Sequence, residues 1–247
     1  MSAYNGCMNI LYKVITGSKL YGISNKDSDT DIKGLFLNTR KEILGFATNP
    51  RIETHNGKEN SEKEEAVYYS VKRFLELCLK SNPTVLELAF VTEPYILYKS
   101  QISEMVCACV QKNCISKEVF SHYYGYMMDQ ITMVKCGKAR RKEKRHEIVE
   151  KYGYDTKNCA HAYRLGVQCV ELMKTGKITP TMTGHTLEVA LACREGKYSL
   201  EQAVSLLEDT RQLMKAESET CKLPETPNTE AVEDCLIDAH DAMINIS

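Results

Sequence analysis

The chain has 247 residues, 43% hydrophobic and 26% charged, enough apolar surface to bury one large domain or two small ones, which excludes disorder as its resting state. A formal net charge of -1 excludes a uniformly basic protein that coats nucleic acid by charge alone, so any phosphate contact has to be local. No apolar run reaches the roughly 18–20 residues of a membrane helix, no secretory leader is readable, and eleven unpaired-looking cysteines fit a reducing compartment, so a soluble cytoplasmic protein is expected.

In chain order, residues 9–16 (NILYKVIT) are rich in β-branched and aromatic side chains and read as a buried strand running into Gly17-Ser18. SNKDSDT at 24–30 is turn chemistry, and DIKGLFL at 31–37 reads as a second strand. The polar, glycine-containing stretch from Asn49 to Glu64 reads as a mobile loop before a short strand at about 65–70. Val71, Phe74, Leu75 and Cys78 then have helical spacing, stopped by Asn82-Pro83. Beyond about residue 100 the apolar spacing is helical almost throughout, with helices expected near 101–113, 117–150, 156–175, 183–195, 199–218 and 229–244. Ser199, followed by Glu201 and Gln202, reads as an N-cap. The expected fold class is therefore α+β, with a catalytic α/β unit over 1–100 and a small mixed sheet, and an all-helical unit over 101–247 that closes a cleft against it. Cys107, Cys109 and Cys114 lie close together, but their spacing matches no common zinc site and reads as buried helix thiols.

The chemically informative segment is 14–36, VITGSKLYGISNKDSDTDIKGLF. Asp29 and Asp31 stand two positions apart, so on an extended strand both carboxylates project from one face and can share a metal site. Hard oxygen ligands favour Mg²⁺ or Mn²⁺. Phosphoryl transfer needs such cations, placed about 3.5–4 Å apart, more than it needs covalent help from the protein. Gly17 lets backbone approach a triphosphate, Ser18 can donate its hydroxyl, and the N-terminus of the following turn favours an anion. A bare DxD occurs in many polar turns; strand, Gly-Ser, nine residues and SDxDxKG is far more specific.

This segment resembles the DNA polymerase beta-like nucleotidyltransferase superfamily, and GSKLYGISNKDSDTDIKG is closest to the predicted nucleotidyltransferases of bacteria and their phages associated with RNA repair. EAVYYSVKRFLELCLKSNPTVLELAF at 65–90 and YGYDTKNCAHAYRLGVQCVELMKTGKI at 152–178 extend the resemblance over roughly residues 10–205. It implies transfer of a nucleoside monophosphate from an NTP to an acceptor hydroxyl, with an RNA 3′ end favoured as the acceptor. It also implies a third carboxylate, which by position falls on Glu65, with Glu64 and Glu62 as alternatives. Lys157, His161 and Arg164, spaced i, i+4 and i+7, lie along one helix face, and the resemblance turns that face toward the nucleotide.

Lys135 to His146 carries seven Lys or Arg residues against one Glu and could steer a nucleic-acid backbone, although the same run also reads as a solvated helix face. Arg141 and His146 have the separation found in HEPN-class ribonucleases, a spacing that arises easily in so basic a region. The rival readings are thus a catalytically silent module that binds nucleotide or RNA, and a HEPN-like ribonuclease.

Overall fold

The computed structural model describes residues 9–26, 28–39, 42–43, 51–56, 64–136 and 143–244. Strands β1 (Asn9–Thr16), β2 (Thr30–Leu37), β3 (Arg51–Asn56), β4 (Glu64–Ser70) and β5 (Ile96–Lys99) form one sheet in the order β3-β4-β2-β1-β5. The sheet is mixed: β2 and β4 are parallel, and the other neighbours are antiparallel. A one-turn helix α1 (Gly17–Leu20) follows β1. Helix α2 (Val71–Leu79) follows β4, capped by the Ser70 hydroxyl, which accepts from the Arg73 amide. Short α3 (Pro83–Leu86), with Pro at its start, runs into a 3-10 turn, Glu87–Phe90.

The remainder is helical: α4 (Gln101–Asn113), α5 (Glu118–Cys136), α6 (Glu143–Tyr152), α7 (Thr156–Thr175), α8 (Gly184–Arg194), α9 (Leu200–Thr220) and α10 (Thr229–Ile244). The architecture is α+β, a small mixed sheet followed by helices. Ser199 caps α9 in a reciprocal box with Gln202. Asp155 caps α7 by accepting from the amides of Lys157 and Asn158 at 3.0 and 3.1 Å.

The structure departs from the sequence expectations at three places. The polar stretch from Asn49, expected to be a loop, contains β3, whose polar RIETHN pairs antiparallel with β4 at the sheet edge. An edge strand makes ladder bonds on one side only and tolerates polar residues that a central strand would not. β5 went unread because four residues after Pro94 show too little alternation. The segment read as one helix over 117–150 holds α5 and α6, with residues 137–142 outside the described set.

The two faces of β2 separate cleanly. Leu35 and Leu37 join the main core, which runs continuously from β1 to α10, whereas Ile32 and Phe36 join a small cluster with Ala66 and Tyr68 on the other face. Strand alternation therefore sets Asp31 in the row of Leu35 and Leu37, at the open end of the helix-covered face.

Candidate active site

The bend after β1 is built by Gly17, whose φ of +66° lies in the left-handed region that L side chains avoid. The turn closes on itself: the Tyr21 amide donates to the Gly17 carbonyl at 3.1 Å and the Ile23 amide to the Ser18 carbonyl at 3.0 Å. Thr16 is paired with Asp31 across the β1–β2 ladder, and its buried hydroxyl donates to the Asp31 carbonyl at 3.3 Å. The Lys19 ammonium donates to the Thr30 hydroxyl. Bend and strand are thereby tied at two points.

A methyl group added at Gly17 would lie 2.0 Å from Asp31 Oδ2 and 3.0 Å from its Cγ. The absence of a side chain at residue 17 is thus what lets the Asp31 carboxylate lie against the bend. Asp29, two residues earlier and exposed, follows a turn in which the Ser28 hydroxyl donates to Asn25 Oδ1 at 2.8 Å. Ser18 is half-buried at the start of α1. On the other side of β2, the parallel register sets Glu65 beside Asp31 and Glu64 beside Thr30. That register favours Glu65 over Glu64 as the residue in the Asp31 row; Glu62 and the side chains of 51–65 lie outside the described set. Among the described residues no three His, Cys, Asp or Glu side chains converge on one point. The available donors, Asp29, Asp31 and by register Glu65, are all hard oxygens of the kind Mg²⁺ and Mn²⁺ prefer.

Behind α1 lies a buried polar knot. Tyr21 Oη donates to Glu87 Oε1 at 2.6 Å, and Arg164 Nη1 donates to Glu87 Oε2 at 2.8 Å and to Gln168 Oε1 at 2.7 Å. The Arg164 guanidinium also stacks 4.0 Å from the Tyr21 ring centre. Glu87 is 0% and Arg164 1% exposed, so both charges have left water and rely on each other. Burial pushes the Tyr21 phenol well above its ordinary pKa, a shift that the Arg164 charge partly opposes. Of the three residues expected to face a nucleotide from α7, Arg164 is therefore placed in the interior, with Glu87 where a phosphate was expected. Arg164 Nη2 lies 3.1 Å from His161 Nδ1. Because guanidinium can only donate, Nδ1 accepts and the proton of the neutral imidazole sits on Nε2. His161 is half-buried and Lys157 exposed on the same helix. Local spacing does not mark Glu87 and Tyr21; the signal the sequence offers is a lone acid inside the apolar run VLELAF, which has to find a partner when buried. In the basic run, His146 is exposed on α6, and Arg141 lies outside the described residues.

A mixed sheet whose first strand ends in a Gly-Ser bend against an aspartate of its neighbour defines the class, a polymerase beta-like nucleotidyltransferase. The chain belongs to the RNA repair pathway DNA polymerase beta family, which it matches over residues 3–232. Among solved structures it is similar to a nucleotidyltransferase-like protein from Exiguobacterium sibiricum 255-15, at 10% identity and a TM-score of 0.33, over 84% of this chain and 69% of that one. No curated protein matches it. Among the described residues no helix is long and apolar enough to cross a membrane.

Proposed function

We propose that the protein transfers a nucleoside monophosphate from an NTP to an acceptor hydroxyl, an RNA 3′ end being the acceptor that its family favours. The acceptor oxygen bonds to the α-phosphorus, the bond from that phosphorus to the bridging oxygen breaks, and the electron pair departs with pyrophosphate. Asp29, Asp31 and Glu65 would hold divalent cations, which when bound would neutralise the triphosphate and acidify the acceptor hydroxyl. Glu65 takes up the hydroxyl proton. Gly17 brings backbone N–H groups to the phosphates, and Ser18 donates its hydroxyl there. Lys157 offsets charge on the departing pyrophosphate, and the neutral His161 donates a hydrogen bond to it from Nε2. Arg164, committed to Glu87, holds α1 in place through Tyr21 rather than touching phosphate. The ten described cysteines are all free thiols, in keeping with a reducing cytoplasmic setting.

The observation that carries this reading is the Asp31 carboxylate lodged against the Gly17 bend. The test supplies each α-labelled NTP with Mg²⁺ or Mn²⁺ and with RNA, protein or small-molecule acceptors. Wild type should transfer label to RNA, while Asp31→Asn and Asp29→Asn lose transfer by about a hundredfold or more and stay folded. Binding of NTP with no transfer to any acceptor would overturn the proposal in favour of a silent binding module.

A further inference from the structure

Helix α10 packs mainly against α4, and each helix brings a cysteine to the contact, Cys109 from α4 and Cys235 from α10. Cys109 Sγ lies 3.7 Å from the Ala231 carbonyl oxygen. Residue 235 is four positions beyond Ala231 on α10, so that oxygen points along the helix toward Cys235, whose thiol in turn donates to the Cys109 sulfur. The start of α10 is tied to the end of α4. The Asn228 amide donates to the Asn113 carbonyl at 2.8 Å, and Asn228 Oδ1 accepts from the Ala231 amide at 3.1 Å. These bonds set the register of the two helices and keep the sulfurs together.

The two thiols differ as the partners of a disulfide-forming reaction must. Cys109 is partly exposed, so an oxidant in solvent reaches it, whereas Cys235 is buried. The hydrogen bond from Cys235 holds the Cys109 thiol below its ordinary pKa against the opposing effect of burial, and the Asn113 side-chain amide, 3.6 Å from the sulfur, and Lys112 add to it. The same bond holds the proton on Cys235. Cys109 is thus the nucleophile, with a second thiol in contact with it. A comparable pair between α7 and α8, Cys159 and Cys193, is fully buried and beyond the reach of an oxidant.

We propose that Cys109 and Cys235 form a reversible redox site, which a hydroperoxide converts to a disulfide that fastens α10 to α4. The Cys109 thiolate attacks one peroxide oxygen, the O–O bond breaks, and the departing hydroxide takes up a proton, leaving Cys109 as a sulfenic acid. With the Cys109 charge gone, the Cys235 proton passes to the sulfenic oxygen. The Cys235 sulfur then bonds to the Cys109 sulfur, the S–O bond breaks, and water leaves. Two thiols and one hydrogen peroxide give one disulfide and two waters, and a dithiol reductant reverses the change. In a reducing compartment such a disulfide is transient and redox-sensing rather than structural.

The test treats intact, reduced protein with hydrogen peroxide, alkylates the remaining thiols in denaturant and digests without reductant. Mass spectrometry should find the Cys109 peptide joined to the Cys235 peptide, with Cys107 and Cys114 alkylated, in protein that runs as a monomer on non-reducing electrophoresis. Dithiothreitol should restore both thiols. Amide exchange in α10 should slow by about tenfold in the oxidised protein and recover on reduction. Cys235→Ser should abolish the cross-link and leave a sulfenic acid at Cys109 that dimedone traps, and Cys109→Ser should leave Cys235 unoxidised. The wild-type peptide map decides the matter even where a variant folds poorly, and no readout involves nucleotide transfer. A cross-link from Cys109 to Cys107 or Cys114 instead, a disulfide-linked dimer, a Cys109 still open to alkylation after peroxide, or unchanged exchange in α10 would overturn the proposal.

Discussion

Gly17 answers two demands at once, a left-handed backbone and room for the Asp31 carboxylate. Gly17→Ala should meet both penalties: a strain of about 1–2 kcal/mol from the positive φ, and displacement of Asp31 Oδ2 from a contact of 2.0 Å. A carboxylate moved by about 1 Å reduces transfer on the order of a hundredfold, so label transfer should fall far more than thermal stability does. On α4, the neighbouring thiols Cys107 and Cys109 are driven in opposite directions. A hydrogen bond from Cys235 brings the Cys109 pKa down to about 7, while burial pushes Cys107 up to about 12. The thiolate is the nucleophile, so alkylation by iodoacetamide should rise with pH through a midpoint near 7 at Cys109 and leave Cys107 unlabelled below pH 9, as mass spectrometry of modified peptides would show. Equal labelling of the two would contradict the pairing of Cys109 with Cys235.

Helix α7 was expected over 156–175 from its apolar spacing, and its ends are local: Asp155 caps it, and Gly176, at φ +69°, ends it. Its i, i+4, i+7 face was legible too, but not what that face meets. Glu87 lies 77 residues from Arg164 in sequence, and spacing along one helix carries no information about a partner on another element. Arg164→Met should leave Glu87 as an unpaired buried charge and lower unfolding free energy by about 3–5 kcal/mol in urea titrations. Removing both charges in Glu87→Leu with Arg164→Met should restore most of that loss. If the single and double variants are equally unstable, the pair is not what holds α1 against α7. The polar β3 was missed for a related reason: its ladder partner, not its own pattern, makes it a strand.

Across the molecule one apolar core joins the sheet to the helices, and three of those helices pack tightly around Gly166. A methyl there would lie 2.4 Å from Thr210 Cγ2 and 3.2 Å from the Met127 sulfur, where α5, α7 and α9 meet. Gly166→Ala should therefore destabilise by about 1–3 kcal/mol despite its better helix propensity. Thr210→Ser removes the opposing methyl and should recover part of the loss in a double-mutant cycle followed by thermal denaturation. Additive losses would place the strain elsewhere.

By itself the sequence determined the α+β class, the strand that ends in Gly-Ser, the two aspartates two positions apart, most helix boundaries and the family. Each of these is written in periodicity, caps and turn residues over a few neighbouring positions. Only the tertiary structure decided that Asp31 touches Gly17, that Glu65 rather than Glu64 shares its row, and that Arg164 turns inward to Glu87. Those outcomes depend on strand register and on pairing between distant segments, which are settled when the core closes and the buried charges must find one another.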